Sequence, residues 1–141
     1  VDKLCELESE LGLDDHESFV EFGLRVKKNG VELNKVLTNI KSSGGSIVGF
    51  GAPAKSTTLL HSYGIDGKIL DYIVDDNPLK QGKFSPGYNI PIKTTKKIYS
   101  DFPDYLLVLA WNFAESIISN HRTYQERGGR FIIPLPDVRV V

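Results

Sequence analysis

Gly49-Phe50-Gly51-Ala52-Pro53-Ala54-Lys55-Ser56 is the stretch whose residue types and spacing point most directly to chemistry. It follows the short apolar run Ser46-Ile47-Val48 and opens a helix predicted over residues 57–62, so it reads as strand, glycine turn, helix. Glycines let a backbone bend sharply and approach a ligand closely. The free N–H groups and positive dipole end of the helix favour an anion. A phosphate or carboxylate is the natural guest. The spacing is G-x-G-x-x-A, one small residue from the dinucleotide-binding fingerprint, and the next apolar run, residues 70–74, leads into Asp75-Asp76. The same turn can serve only to pack helix against strand, and by itself it leaves both readings open.

Other candidates gather around it. In an open α/β sheet, ligands bind at the carboxyl ends of the strands, where the loops after Val48, Val74 and Ala110 would converge. Those loops carry Lys55, residues 75–80 and Trp111-Asn112. Lys55 is either an exposed first-turn lysine or the partner of an anion; a cation beside a helix N-terminus opposes the dipole, so phosphate contact is the preferred reading. Asp75 and Asp76 either cap the turn at Asn77-Pro78 or accept ribose or sugar hydroxyls. Lys80 and Lys83 are solvated or pair with a phosphate, and Trp111 packs between elements or stacks on a base or sugar. Ser56, Thr57 and Thr58 cap the helix or touch phosphate. His16, His61 and His121 have no cysteine or carboxylate at metal-ligand spacing, so no metal site and no catalytic residue are assigned.

The elements that must position these residues follow from periodicity. Leu4, Leu7 and Leu11 recur at helical spacing; after Gly12 a second helical pattern, Phe19, Phe22, Val26, Val31, Leu33, Val36, Leu37 and Ile40, runs toward Gly44-Gly45. Asp14 or Asp15 would cap its start, and Gly30 within it is a break or a cost of about 1 kcal/mol against Ala. From Ser46 the pattern changes to short apolar runs at 47–50, 70–74, 105–110 and 131–133, with a helix after the first and another over 113–127. Strands alternating with helices indicate a parallel sheet covered on both faces. The connection from 76 to 100 is a series of turns with one short extended segment, long enough to be functional.

Composition bounds the rest. At 141 residues the chain is one domain, and 17 basic against 18 acidic residues argue against a nucleic-acid surface. The single cysteine, Cys5, excludes an internal disulfide and fits a reducing, cytoplasmic compartment. No run approaches the length of a membrane span. With no methionine anywhere, the chain reads as an excised piece of something longer.

Four linked segments together resemble a known family. They are Gly49-Phe50-Gly51-Ala52-Pro53-Ala54-Lys55; Asp75-Asp76-Asn77-Pro78-Leu79-Lys80-Gln81-Gly82; Ser85-Pro86-Gly87 followed by Ile90-Pro91-Ile92; and Leu109-Ala110-Trp111-Asn112. In this order they are similar to the C-terminal domain of S-adenosylmethionine-dependent sugar C-methyltransferases, enzymes of nucleotide-linked keto-deoxysugars. The resemblance implies a Rossmann-like α/β domain over residues 45–141, mostly parallel, preceded by a helical connector over 1–44 from an upstream domain. It implies a substrate-binding role for Gly49, Gly51, Ala52, Pro53, Ala54, Lys55, Ser56, Asp75, Asn77, Lys80, Trp111 and Asn112. It further implies a dTDP-linked sugar nucleotide as partner, with S-adenosylmethionine and zinc bound by upstream parts of the full enzyme and not here. The implied reaction removes a proton beside the sugar ketone, and the enolate carbon then attacks the donor methyl; neither the base nor the enolate stabiliser is assigned to this chain. Two other readings stand: a nicotinamide-dinucleotide domain of an oxidoreductase, and a degenerate Rossmann fold kept for structure. Pro53 removes a backbone donor that a pyrophosphate would use, which favours the methyltransferase reading.

Overall fold

The structure is a computed structural model and describes residues 2–13 and 15–141. Two helices lead in, α1 (Asp2–Glu10) and α2 (His16–Ser42). They are followed by β1 (Ile47–Phe50), α3 (Ala54–Tyr63), β2 (Ile73–Val74), β3 (Ile92–Lys93), α4 (Lys97–Ser100), β4 (Tyr105–Val108), α5 (Ala114–Asn120), α6 (Arg122–Glu126), β5 (Arg130–Ile133) and β6 (Arg139–Val140). A 3-10 turn, Trp111–Phe113, precedes α5. The strand order is β3-β2-β1-β4-β5-β6, parallel throughout except for β6, which runs antiparallel to β5. This is the expected mostly parallel α/β sheet.

Alternation along each strand builds two cores. Ile47, Ile73, Leu107 and Ile132 face α2 and α3, where Leu33, Leu37, Ile40, Leu59 and Leu60 cover them. Val48, Phe50, Leu106, Val108 and Phe131 face the other way, against Ile98 of α4, Ala114 of α5 and Tyr124 of α6. Successive side chains of a strand point to opposite faces, so apolar runs without alternation are what a sheet buried on both sides requires.

Several boundaries differ from expectation. The run 70–74 yields a strand only at Ile73–Val74, although Leu70 is fully buried. The helix expected from 57 begins at Ala54, with Pro53 at its N-cap, where a missing N–H costs nothing. The helix expected over 113–127 is broken at His121, whose φ of −118° has left the helical region while its ring packs edge-on against Phe50. Gly30 does not break α2: a Cβ there would sit 2.6 Å from the Tyr63 ring, so glycine lets α2 and α3 approach. Gly44 and Gly45 close α2 as expected, donating to Lys41 and Ile40 carbonyls. Asp15 is the N-cap residue without a side-chain cap bond, and Asp14 lies outside the described residues.

α2 is buried only from Asn29 onward. Its apolar stripe continues N-terminally through Phe22 and Phe19, which are 59% and 60% exposed, and α1 has no buried residue. No described helix is long and apolar enough to cross a membrane.

Candidate functional site

Both glycines of the turn answer to the protein's own packing. Gly49 lies within β1, and a Cβ on it would meet Leu109 at 2.8 Å and Ile73 at 2.9 Å. Gly51 has φ +85°, and its Cβ would strike that of Ala110 at 2.9 Å, which brings the loops after β1 and β4 into contact. The turn's donors are also largely spent. Gly51 N–H donates to the Val74 carbonyl and Ala52 N–H to the Asp75 carboxylate. Pro53 has no N–H, while Ser56 donates both its N–H and its hydroxyl to the Pro53 carbonyl.

Asp75, Asn77 and Lys80 form a network of their own. Asp75, 8% exposed, accepts from Ala52 N–H at 2.7 Å, Asn77 N–H at 2.9 Å and Lys80 Nζ at 3.1 Å. Burial pushes its carboxyl upward, but those donors and the Lys80 charge together hold it below the ordinary carboxylate value. Asn77 Oδ1 accepts from Leu79 N–H, an Asx turn that closes the bend at Pro78. Asp75 thus accepts from the turn at Asn77-Pro78, Asp76 accepts from the Thr95 hydroxyl, and Lys80 is paired with Asp75.

Lys55, Trp111 and Asn112 come together elsewhere. They line a cavity of about 690 Å³ between α2, α3 and the loops that follow β4 and β5. Lys55 Nζ lies 4.2 Å from the Trp111 ring centroid, a cation–π contact. The remaining wall is mostly apolar, with Phe22 and Val26 of α2, Tyr63 of α3, and Leu135 and Pro136 after β5. Asn29 Nδ2 donates to the Pro136 carbonyl at 2.9 Å and holds that last loop against α2. A cavity of this size, lined by aromatics with one cation and a few amide and hydroxyl groups, suits a small organic anion carrying an apolar or flat part.

The α2 and β5-loop residues of this wall were not among the expected site residues. Phe22 and Val26 carried a signal, the helical stripe, but it does not distinguish a covered face from an open one. Leu135 and Pro136 gave none. Ala54 is exposed at the first position of α3. Among the described residues no group of three or more His, Cys, Asp or Glu side chains could hold a metal ion.

Comparison with known proteins places the chain in a family. A family model described as C-methyltransferase C-terminal domain matches residues 1–136. The chain is also 35% identical over 130 residues to the C-methyltransferase NovU of Streptomyces niveus, covering 92% of this chain and 31% of that protein. The chain thus spans about a third of the length of this curated relative. With a mostly parallel α/β sheet, the linked motifs and a family match over nearly all its residues, this chain belongs to the family of C-methyltransferase C-terminal domains.

Proposed function

We propose that this chain is the C-terminal domain of an S-adenosylmethionine-dependent C-methyltransferase acting on a nucleotide-linked keto-deoxysugar, and that it binds and positions the sugar nucleotide. The observation that carries the reading is the meeting of Lys55, Trp111 and Asn112 on one cavity of about 690 Å³ beside the carboxyl ends of β1 and β4. Lys55 supplies the cation for the diphosphate, Trp111 a flat face and Asn112 an amide for hydroxyl or carbonyl groups. The anion sits toward Lys55 and the start of α3 rather than on the glycine turn, whose Gly51 and Ala52 donors are engaged.

The methyl donor and a zinc ion belong, in this reading, to the upstream part of the full enzyme, which also holds the base. The donor supplies an electrophilic methyl group; this domain contributes affinity and orientation, not bond-making. The isolated chain is then inactive, and its helical lead-in joins it to that upstream domain. A nicotinamide-dinucleotide site is less well served, because engaged Gly51 and Ala52 N–H groups and a proline leave the turn few donors for a pyrophosphate. Calorimetric titration with a dTDP-deoxyhexose, nicotinamide dinucleotide and S-adenosylmethionine tests the assignment. Binding of the first alone is expected; tight binding of either of the others in its place would refute it.

A further inference from the structure

Lys55 rests in a place that suits a cation waiting for a partner. Its ammonium lies over the Trp111 ring at 4.2 Å, and among the described residues no carboxylate is paired with it. Lys80, the neighbouring loop cation, is already matched by Asp75 at 3.1 Å. Lys55 also occupies the first turn of α3, where the helix dipole repels positive charge. The indole face is thus its main attraction, and a cation–π contact between two half-buried side chains is a modest hold. While it stays, one face of Trp111 is covered.

We propose that Lys55 and Trp111 form an anion-operated latch on the cavity. The ligand's phosphate draws the ammonium off the indole, and the uncovered face then takes the ring of the ligand's nucleoside. The inference rests on the sugar-nucleotide reading above and adds an order to it, phosphate first and ring second. A full negative charge on phosphate attracts the ammonium more strongly than the quadrupole of a half-buried indole, so the transfer is downhill. Stacking of a base on the indole replaces what Trp111 gives up. The apolar wall of Phe22, Tyr63 and Leu135 suits the ring and excludes charge, which keeps the phosphates at the Lys55 end.

Trp111 is the sole tryptophan of the chain, so its emission reports the latch directly. The chain is titrated with inorganic pyrophosphate, with thymidine, and with thymidine at saturating pyrophosphate, following emission and heat. Pyrophosphate alone should change the emission and tighten thymidine binding about fivefold or more, a usual coupling between two sites. In Lys55→Ala, thymidine should bind without this dependence and pyrophosphate should leave the emission unchanged. Pyrophosphate heat with unaltered Trp111 emission and no effect on thymidine overturns the latch and leaves the sugar-nucleotide site standing. Failure of an intact dTDP-deoxyhexose to bind overturns both.

Discussion

The Asp75 carboxylate at the end of β2 accepts the Ala52 N–H of the loop after β1 at 2.7 Å, and so clamps the two loops together. With Lys80 and Asn77 also donating to it, this one buried side chain fixes the glycine turn from outside the turn itself.

Replacing Asp75 with Ala should therefore destabilise the fold rather than merely weaken a ligand. Hydrogen bonds to a charged group are worth about 1.5–3 kcal/mol. The unfolding midpoint should fall by roughly 6–10 °C, measured by thermal denaturation. Because the carboxyl is held below the ordinary value of 3.8, its contribution is complete above that pH and is lost as pH falls through the lower folded value. In the Asp75→Ala variant that loss below pH 3.8 should shrink. A variant as stable as the parent protein, with the same acid limb, would show that the clamp is idle.

Gly30→Ala gives an opposite result to helix propensity. In an exposed helix the change gains about 1 kcal/mol. Here the new Cβ would meet the Tyr63 ring at 2.6 Å, so a net loss of about 1–3 kcal/mol is expected in chemical denaturation. In a Tyr63→Ala background the cost of Gly30→Ala should shrink, as a double-mutant cycle would show; a Gly30→Ala variant more stable than the parent would mean that α2 and α3 yield without strain.

His121 should titrate low. Burial disfavours its imidazolium, with Asp76 opposing this only in part, and Nδ1 lies 2.7 Å from the Tyr99 hydroxyl. A base whose folded value lies below 6.5 stabilises the fold above that pH, and the stability is lost as pH falls through the folded value. Proton NMR of the ring signals should give His121 a midpoint below 6.5, and His121→Phe should remove that part of the pH dependence. A midpoint at or above 6.5 would contradict the packing described for its ring.

How much of this the sequence carried differs by element. The parallel sheet was legible because Leu106, Leu107, Val108 and Leu109 are apolar without alternation, which only a strand buried on both faces tolerates. The pairing of Arg139–Val140 at the sheet edge was not, since its side chains are exposed and offer no pattern. Nor was the break at His121, which no glycine or proline marks. The meeting of Lys55, Trp111 and Asn112 on one cavity was legible because they follow the carboxyl ends of strands. The internal use of Asp75 was not, because one acidic side chain after a strand serves a ligand or a backbone N–H equally well. The open half of α2 shows the same limit: Phe19 and Phe22 continue the spacing of the buried stripe, and spacing does not say what lies opposite.

Lys55→Ala in the full-length enzyme separates binding from chemistry. If Lys55 meets the diphosphate, remote from the reacting carbon, it makes the same contact in the ground state and the transition state. Losing it then raises the Michaelis constant and leaves turnover nearly unchanged. One charge-assisted hydrogen bond corresponds to a rise of about tenfold or more in KM for the sugar nucleotide, read from steady-state kinetics. The Michaelis constant for the methyl donor should stay within about twofold, because that ligand is assigned to another domain. Lys55→Arg should recover most of the affinity, since it restores the charge although not the point geometry of an ammonium. If turnover collapses while the sugar-nucleotide constant is unchanged, Lys55 acts on the reacting atoms, and the assignment of this domain to substrate positioning fails.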